Sequence, residues 1–264
     1  MTQRLSYGQA SLAAASNSSS VRWVWAKVPG VASIFVVDAD AWVYPLVYDL
    51  AQPQWDWLDA QLARVDRSET PWLLLVPHRA MYCTKTTDPE CNSEAESLRY
   101  GLLDTFFGLE ELIVKYGVDM VFAGQQVHPK HSHPHVISNS ANISNSLTNR
   151  RASGDHISPP LLSTHHYEAT WPVVKGVTQQ TNYVDPRAAI HVQSGIAGTG
   201  PGGDPFDVPQ EPWERFRDMS FSPSYGRITF HNATHLSYWQ LFAQNRSVLD
   251  SMVVVQRNHG PFAN

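Results

Sequence analysis

The chain has 264 residues, 42% of them hydrophobic and 16% charged, with 9 Trp, 10 Tyr and 10 Phe, a globular composition of a size that suits one medium domain. Its formal net charge of -5 is not the basic footprint of a nucleic-acid or anionic-membrane binder. No apolar run has the length that a bilayer crossing needs.

Residues 1–20 are rich in Ser, Ala, Asn and Gln; they read as disordered and, lacking a charged stub and an apolar core, not as a signal peptide. Ser33–Asp38 reads as a buried strand. Pro53–Val65, with Trp55, Leu58 and Leu62 on one face, predicts an amphipathic helix with proline near its start. Trp72–Val76 is a second buried strand. Glu94–Tyr116 predicts one long helix, its apolar side carrying Leu98, Leu102, Phe106, Leu109 and Ile113. Val118–Ala123 is a third strand. Alternating helices and continuously apolar strands predict a parallel sheet covered by helices, an α/β fold.

From Gln125 to Thr164 the rhythm stops, and HPKHSHPH, SNSANISNS and SPP form a low-complexity insertion rich in His, Ser and Asn. Ala188–Val192 follows as a strand, then the glycine-rich turn Gly195–Gly203. The tail segments Tyr225–Phe230, His235–Phe242 and Val248–Gln256 alternate apolar and polar residues and predict antiparallel strands.

Cys83 and Cys91 are the only cysteines, and they sit close together in a polar segment where a short disulfide loop is sterically easy. Four acceptor sequons begin at Asn17, Asn142, Asn232 and Asn245. Both features point to an oxidising compartment, so a secreted or vesicular, lysosomal-like localisation is expected.

In open α/β sheets, ligand-binding groups gather past the carboxyl ends of the strands. That places His78, one residue beyond Pro77, and Gly124-Gln125-Gln126, at the end of the third strand, on the candidate edge. An imidazole leaving a buried strand on a tight turn suits metal ligation; a histidine simply hydrogen-bonded at a strand end is the bland alternative.

PWLLLVPHRAMYC resembles the purple acid phosphatase segment that reads W-(apolar)-G-H-R-P-M-Y-C, whose histidine is a metal ligand. GVDMVFAG resembles the strand before that family's G-H-x-H-x-Y-E-R motif, and HHYEATWPV, from His165 to Val173, resembles the motif's second half. YVDPRAAIHVQSGIAGTGPGGDPF, SYGRITFHNATHLSYWQ and QRNHGPF continue the likeness, while ASIFVVDADAWVYP and PQWDWLDAQL match the preceding strand and helix. The resemblance covers residues 21–264 as part of a metallophosphoesterase catalytic domain interrupted at 125–164. It implies an incomplete sheet sandwich flanked by helices, with antiparallel C-terminal strands.

Carried over residue by residue, the resemblance makes His78 a metal ligand and His165 the later histidine of the paired motif. The earlier histidine has no counterpart, because the spacing falls on Ser163 and the strand end supplies Gln125. A competing alignment takes Gln126-Val127-His128 as the H-x-H, making His128 the alternative to His165. The family's arginine after Tyr-Glu is Ala169 here. The matching family segment also carries a cysteine at the start of a similar loop, which supports pairing of Cys83 with Cys91. Motifs resembling G-D, G-D-x-x-Y and G-N-H-E, which carry the family's carboxylates, do not occur before Ser33. Asp38 and Asp40 stand at a strand end as a D-x-D, but the matched family strand has a non-ligating T-E there.

In the intact family two metal ions, iron with zinc, manganese or a second iron, activate a hydroxide against phosphate monoesters. The resemblance therefore implies an acid phosphatase-type metallophosphoesterase with a phosphate monoester substrate, no nucleic-acid partner and no membrane span. The missing ligands predict weak or no activity for this chain, with the catalytic residues themselves unassigned. The rival readings are a non-catalytic secreted glycoprotein that keeps the fold as a binding module, and a zinc-binding module built on His128, His131, His133, His135 and His156. A translated intron over 125–164 is a further explanation of the insertion. His78 and His165 are expected to approach each other on one sheet edge.

Overall fold

The computed structural model describes residues 22–84, 93–103, 106–124, 166–196, 209–218, 220 and 222–263. The described chain enters as an antiparallel hairpin of β1 (Val24–Val28) and β2 (Ala32–Val37), turning through Gly30 at φ 74°. Two short 3-10 turns, Ala39–Trp42 and Pro45–Leu50, lead into α1 (Ala51–Leu62), and β3 (Trp72–Pro77) follows. α2 (Ala95–Tyr100), a small hairpin of β4 (Gly101–Leu102) and β5 (Phe106–Phe107), and α3 (Leu109–Tyr116) precede β6 (Met120–Ala123). Then come β7 (Tyr167–Thr170), the hairpin β8 (Val173–Val174) and β9 (Val177–Thr178), β10 (Ile190–Ser194) and β11 (Glu214–Arg217). β12 (Ser224–Phe230), β13 (His235–Phe242) and β14 (Val248–Val255) form a separate antiparallel sheet, as their alternation predicts.

The main sheet has seven strands in the order β1-β2-β3-β6-β10-β7-β11. Its centre, β2, β3, β6 and β10, is parallel, β1 and β7 run against it, and β11 pairs antiparallel with β7. It is thus a mixed sheet rather than the expected parallel one, and among the described residues helices cover one face while the second sheet covers the other. Period-two alternation assigns the two faces. Leu73 and Leu75 join Phe35, Leu58, Leu98, Leu109 and Val121 under the helices. Trp72 and Leu74 join Met120, Tyr167, Leu236, Tyr238 and Met252 against the second sheet. Burial on both faces is why β3 reads as an unbroken apolar run.

The long helix expected over Glu94–Tyr116 is broken in two, and glycine sterics explain it. Gly101 has φ 93°, and a Cβ there would lie 1.9 Å from the Phe106 carbonyl oxygen. A Cβ on Gly108 would come 2.4 Å from the Arg99 carbonyl oxygen. The chain therefore folds back on itself as a tight hairpin, and indole N–H groups secure it: Trp42 donates to Phe107 O at 2.8 Å and Trp55 to Gly108 O at 3.1 Å.

At the opposite end of the sheet the C-terminal tail is tied down around Asp119. Arg67 donates to that carboxylate at 2.8 Å, Leu73 N–H at 2.8 Å, and His259 Nδ1 lies 3.2 Å away. Gly117 caps α3 at φ 63°, and a Cβ there would fall 1.6 Å from the Gly260 carbonyl oxygen.

Candidate functional site at the sheet edge

Parallel β3, β6 and β10 deliver their carboxyl ends to one edge, and antiparallel β7 starts there. Gly124 N–H donates to His78 O at 3.2 Å, and Gly195 N–H donates to His166 O at 3.1 Å. His78 is exposed on this edge. The residue after it is not. The Arg79 side chain is only 3% exposed, and its guanidinium donates to Asp40 Oδ1 at 2.9 Å, to Tyr44 Oη at 2.8 Å and to Glu94. Burial alone would weaken the charged guanidinium, but these anionic partners raise its pKa overall. The His78 turn is thus pinned by a buried cation.

Asp38 and Asp40 take structural roles. Asp38 accepts from Arg22 at 2.6 Å and from the Asp40 backbone N–H at 3.1 Å, capping the first 3-10 turn, while Asp40 holds Arg79. Their carboxylates are occupied by arginines, which agrees with the non-ligating reading of this D-x-D.

His165, His128, Gln125, Gln126, Ser163 and the remaining histidines of the insertion lie outside the described residues, as do Cys91, Asn17 and Asn142. The expected meeting of His78 with His165 is therefore carried only as far as His166, which does reach this edge through its carbonyl oxygen. Cys83 is buried and is not a free thiol.

Behind the edge, the helix-facing side of β10, β7 and β11 is unexpectedly polar. Register places Gln193, Glu168 and Arg217 in one row. His191, whose backbone N–H donates to Thr170 Oγ1 at 3.0 Å, Thr170 and Glu214 form the next. Glu168 accepts from Thr84 Oγ1 at 3.0 Å and Thr84 N–H at 3.3 Å, and lies 3.1 Å from His166 Nε2. Burial, aided by the Glu168 charge, pushes the Glu214 carboxyl up to about 7. His191 is packed against the Tyr82 ring at 4.6 Å, and burial, with a smaller contribution from Arg99, holds its pKa down at about 3. Residue-by-residue reading passed over this patch, although the alternation Ile-His-Val-Gln in β10 marks His191 and Gln193 as one face.

The fold has solved counterparts. It matches the purple acid phosphatase PPD1 from yellow lupin (Lupinus luteus) seeds with a TM-score of 0.57 at 18% identity, over 90% of this chain and 34% of that one. Residues 188–251, from the strand β10 to β14, match the family model of iron/zinc purple acid phosphatase-like protein C. The chain is 29% identical over 248 residues to acid phosphatase type 7 of Danio rerio, covering 89% of this chain and 47% of that protein. It is 28% identical over 189 residues to Fe(3+)-Zn(2+) purple acid phosphatase 12 of Arabidopsis thaliana, covering 71% and 31%. The fold of the described chain is thus similar to that of a purple acid phosphatase. In sequence the chain is similar to purple acid phosphatase-like proteins, and it spans less than half the length of these relatives.

Among the described residues the edge offers one matched ligand, His78, and two carboxylates already engaged by arginines. That set does not make up a dinuclear metal centre, and no catalytic step is derived through one.

Proposed function

We propose that this chain carries part of an acid metallophosphatase domain, directed at phosphate monoesters, and that by itself it hydrolyses them weakly or not at all. The observation that carries this reading is His78, exposed on an arginine-pinned turn at the shared edge of β3, β6 and β10, with Asp38 and Asp40 withdrawn into ion pairs. A hydroxide nucleophile at acidic pH needs a strongly Lewis-acidic cation, and anionic ligands keep such a cation bound. Relatives named for iron and zinc support a two-metal site in whole proteins of this family. The test is hydrolysis of p-nitrophenyl phosphate with added iron, zinc or manganese. Strong metal-dependent turnover would sink the inactive part of this reading, and its abolition by His78→Ala would identify the ligand.

The second reading is a non-catalytic binding module in a secretory compartment. It draws support from a fold neighbour described as GAP50, the anchor in the inner membrane complex of Plasmodium, at TM-score 0.50 and 10% identity. It also draws on two exposed sequons of like shape. Asn232 Oδ1 accepts from Thr234 N–H at 2.8 Å and Thr234 Oγ1 at 3.0 Å, and Asn245 Oδ1 accepts from Ser247 N–H at 2.9 Å and Ser247 Oγ at 2.7 Å. We carry glycosylation at these asparagines and at Asn17 and Asn142, a Cys83–Cys91 disulfide, and secreted or vesicular localisation as parts of the same proposal.

A further inference from the structure

A second concave site lies on the helix side of the main sheet. Between α3, the β8–β9 hairpin and the C-terminal tail runs an open groove of about 910 Å³, a size that takes a small organic ligand. Val114, Val174 and Phe262 supply apolar surface along it, and the Phe262 backbone N–H donates to Val114 O at 3.0 Å. Four basic side chains, Arg99, Lys115, Lys175 and Arg187, line the same groove against two acidic ones, Glu110 and Glu111. In a chain of formal net charge -5 this is a local reversal of sign. A concave wall of one charge focuses its field on a ligand of the other. None of the edge residues His78, Asp38 and Asp40 lines it.

The charges are not equivalent. Glu110 is 4% exposed, and its Oε1 is taken by the Tyr82 hydroxyl and by the Lys175 backbone N–H at 3.0 Å. Lys115 is held by Asp59 at 2.7 Å, and Arg99 donates to Met81 O at 2.8 Å. Lys175 and Arg187 are exposed, and among the described residues neither is in an ion pair. Both are nevertheless positioned. Lys175 and Gly176, at φ 50° and 74°, form the two-residue turn between β8 and β9, where Asn, Asp or Gly is the ordinary choice. The buried Tyr82–Glu110 pair clamps that turn, because the Tyr82 hydroxyl oxygen also accepts from Gly176 N–H at 3.2 Å. Arg187 donates to Gln179 O at 2.7 Å, just past the hairpin. One hairpin thus carries one unpaired cation and tethers the other.

We propose that this groove binds a phosphorylated small molecule with an apolar or aromatic body, its phosphate held by Lys175 and Arg187 and its body laid against Val114, Val174 and Phe262. Ammonium and guanidinium groups donate hydrogen bonds and accept none, so the groove selects an anion. Two cations free of carboxylates favour a doubly charged phosphate monoester over a carboxylate of single charge. The groove requires no catalytic competence and shares no residue with the edge marked by His78, so it stands whether or not the chain is a phosphatase.

The test is calorimetric titration of the full 264-residue chain with phenyl phosphate, inorganic phosphate and benzoate, in a chelator so that no metal occupies the edge. One phenyl phosphate is expected to bind. Inorganic phosphate should bind more weakly because it lacks the apolar body, and benzoate because it carries a single charge. Lys175→Met and Arg187→Met should each weaken phenyl phosphate by about threefold to tenfold, as suits charge-assisted contacts made in solvent. The double variant should show no saturable binding, and His78→Ala should bind as the parent does. Both replaced side chains are exposed, so circular dichroism should show every variant folded. No saturable binding of phenyl phosphate by the parent, or undiminished binding by the folded double variant, would overturn the proposal. So would either control ligand binding as tightly, or loss of binding in His78→Ala. Failure here leaves the phosphatase reading intact, because that reading rests on His78.

Discussion

Arg79 donates to Asp40 at 2.9 Å, and that one ion pair joins the turn after β3 to the turn after β2. The turn bearing His78 therefore inherits its position from a residue nearly forty places earlier. A buried guanidinium left without its anions is costly, whereas removing the whole pair is much less so.

The first prediction follows from this. Asp40→Ala should lower stability by about 1–3 kcal/mol, Asp40 being partly exposed. The double variant Asp40→Ala/Arg79→Met should lose less than the sum of the single losses. Urea denaturation of the four proteins measures both; strictly additive losses would show that the pair does not couple the two turns.

His191 predicts a pH dependence whose sign can be worked out. Its pKa falls from an ordinary 6.5 to about 3 because burial disfavours the charged ring. Below the ordinary value the unfolded chain binds a proton that the folded chain refuses, so stability declines as pH drops from 6.5 toward about 3. His191→Phe keeps the ring against Tyr82 but cannot titrate. The parent should lose more of its urea midpoint than the variant between pH 7 and about pH 4.5. Equal losses would mean that His191 charges without penalty.

Gly117 occupies a left-handed position pressed against Gly260. Gly117→Ala should cost about 1–3 kcal/mol and release the tail. A lowered melting temperature and faster proteolysis near Phe262 are expected. An unchanged melt would show that backbone shifts absorb the methyl group.

Asn232 and Asn245 present matching exposed turns. When the chain is passed through a secretory pathway, glycosidase treatment should reduce its mass, and Thr234→Ala should remove one of the glycans. An unmodified Asn232 in material known to have been secreted would contradict the glycoprotein reading.

Much of the fold is visible in local pattern. β2, β3, β6 and the tail strands declare themselves through continuous or alternating apolar residues, and α1 through its stripe. The break in the helix between Tyr100 and Leu109 is not visible in the apolar stripe, because Leu102 and Phe106 keep helical spacing while the hairpin that replaces the helix has room only for glycine at 101 and 108. The antiparallel placement of β7 between β10 and β11 depends on pairing partners distant in sequence. Of the site, His78 is legible because it leaves a buried strand beside proline. The Glu168–Glu214 patch is not, since only the register across β10, β7 and β11 brings those residues together.

The most direct test of the account is turnover of p-nitrophenyl phosphate by purified residues 1–264, measured at acidic pH with iron, zinc or manganese added, beside His78→Ala. The account predicts rates near background that His78→Ala leaves unchanged. Metal-dependent turnover that disappears in His78→Ala would contradict it, showing that this chain assembles a working metal centre around that histidine.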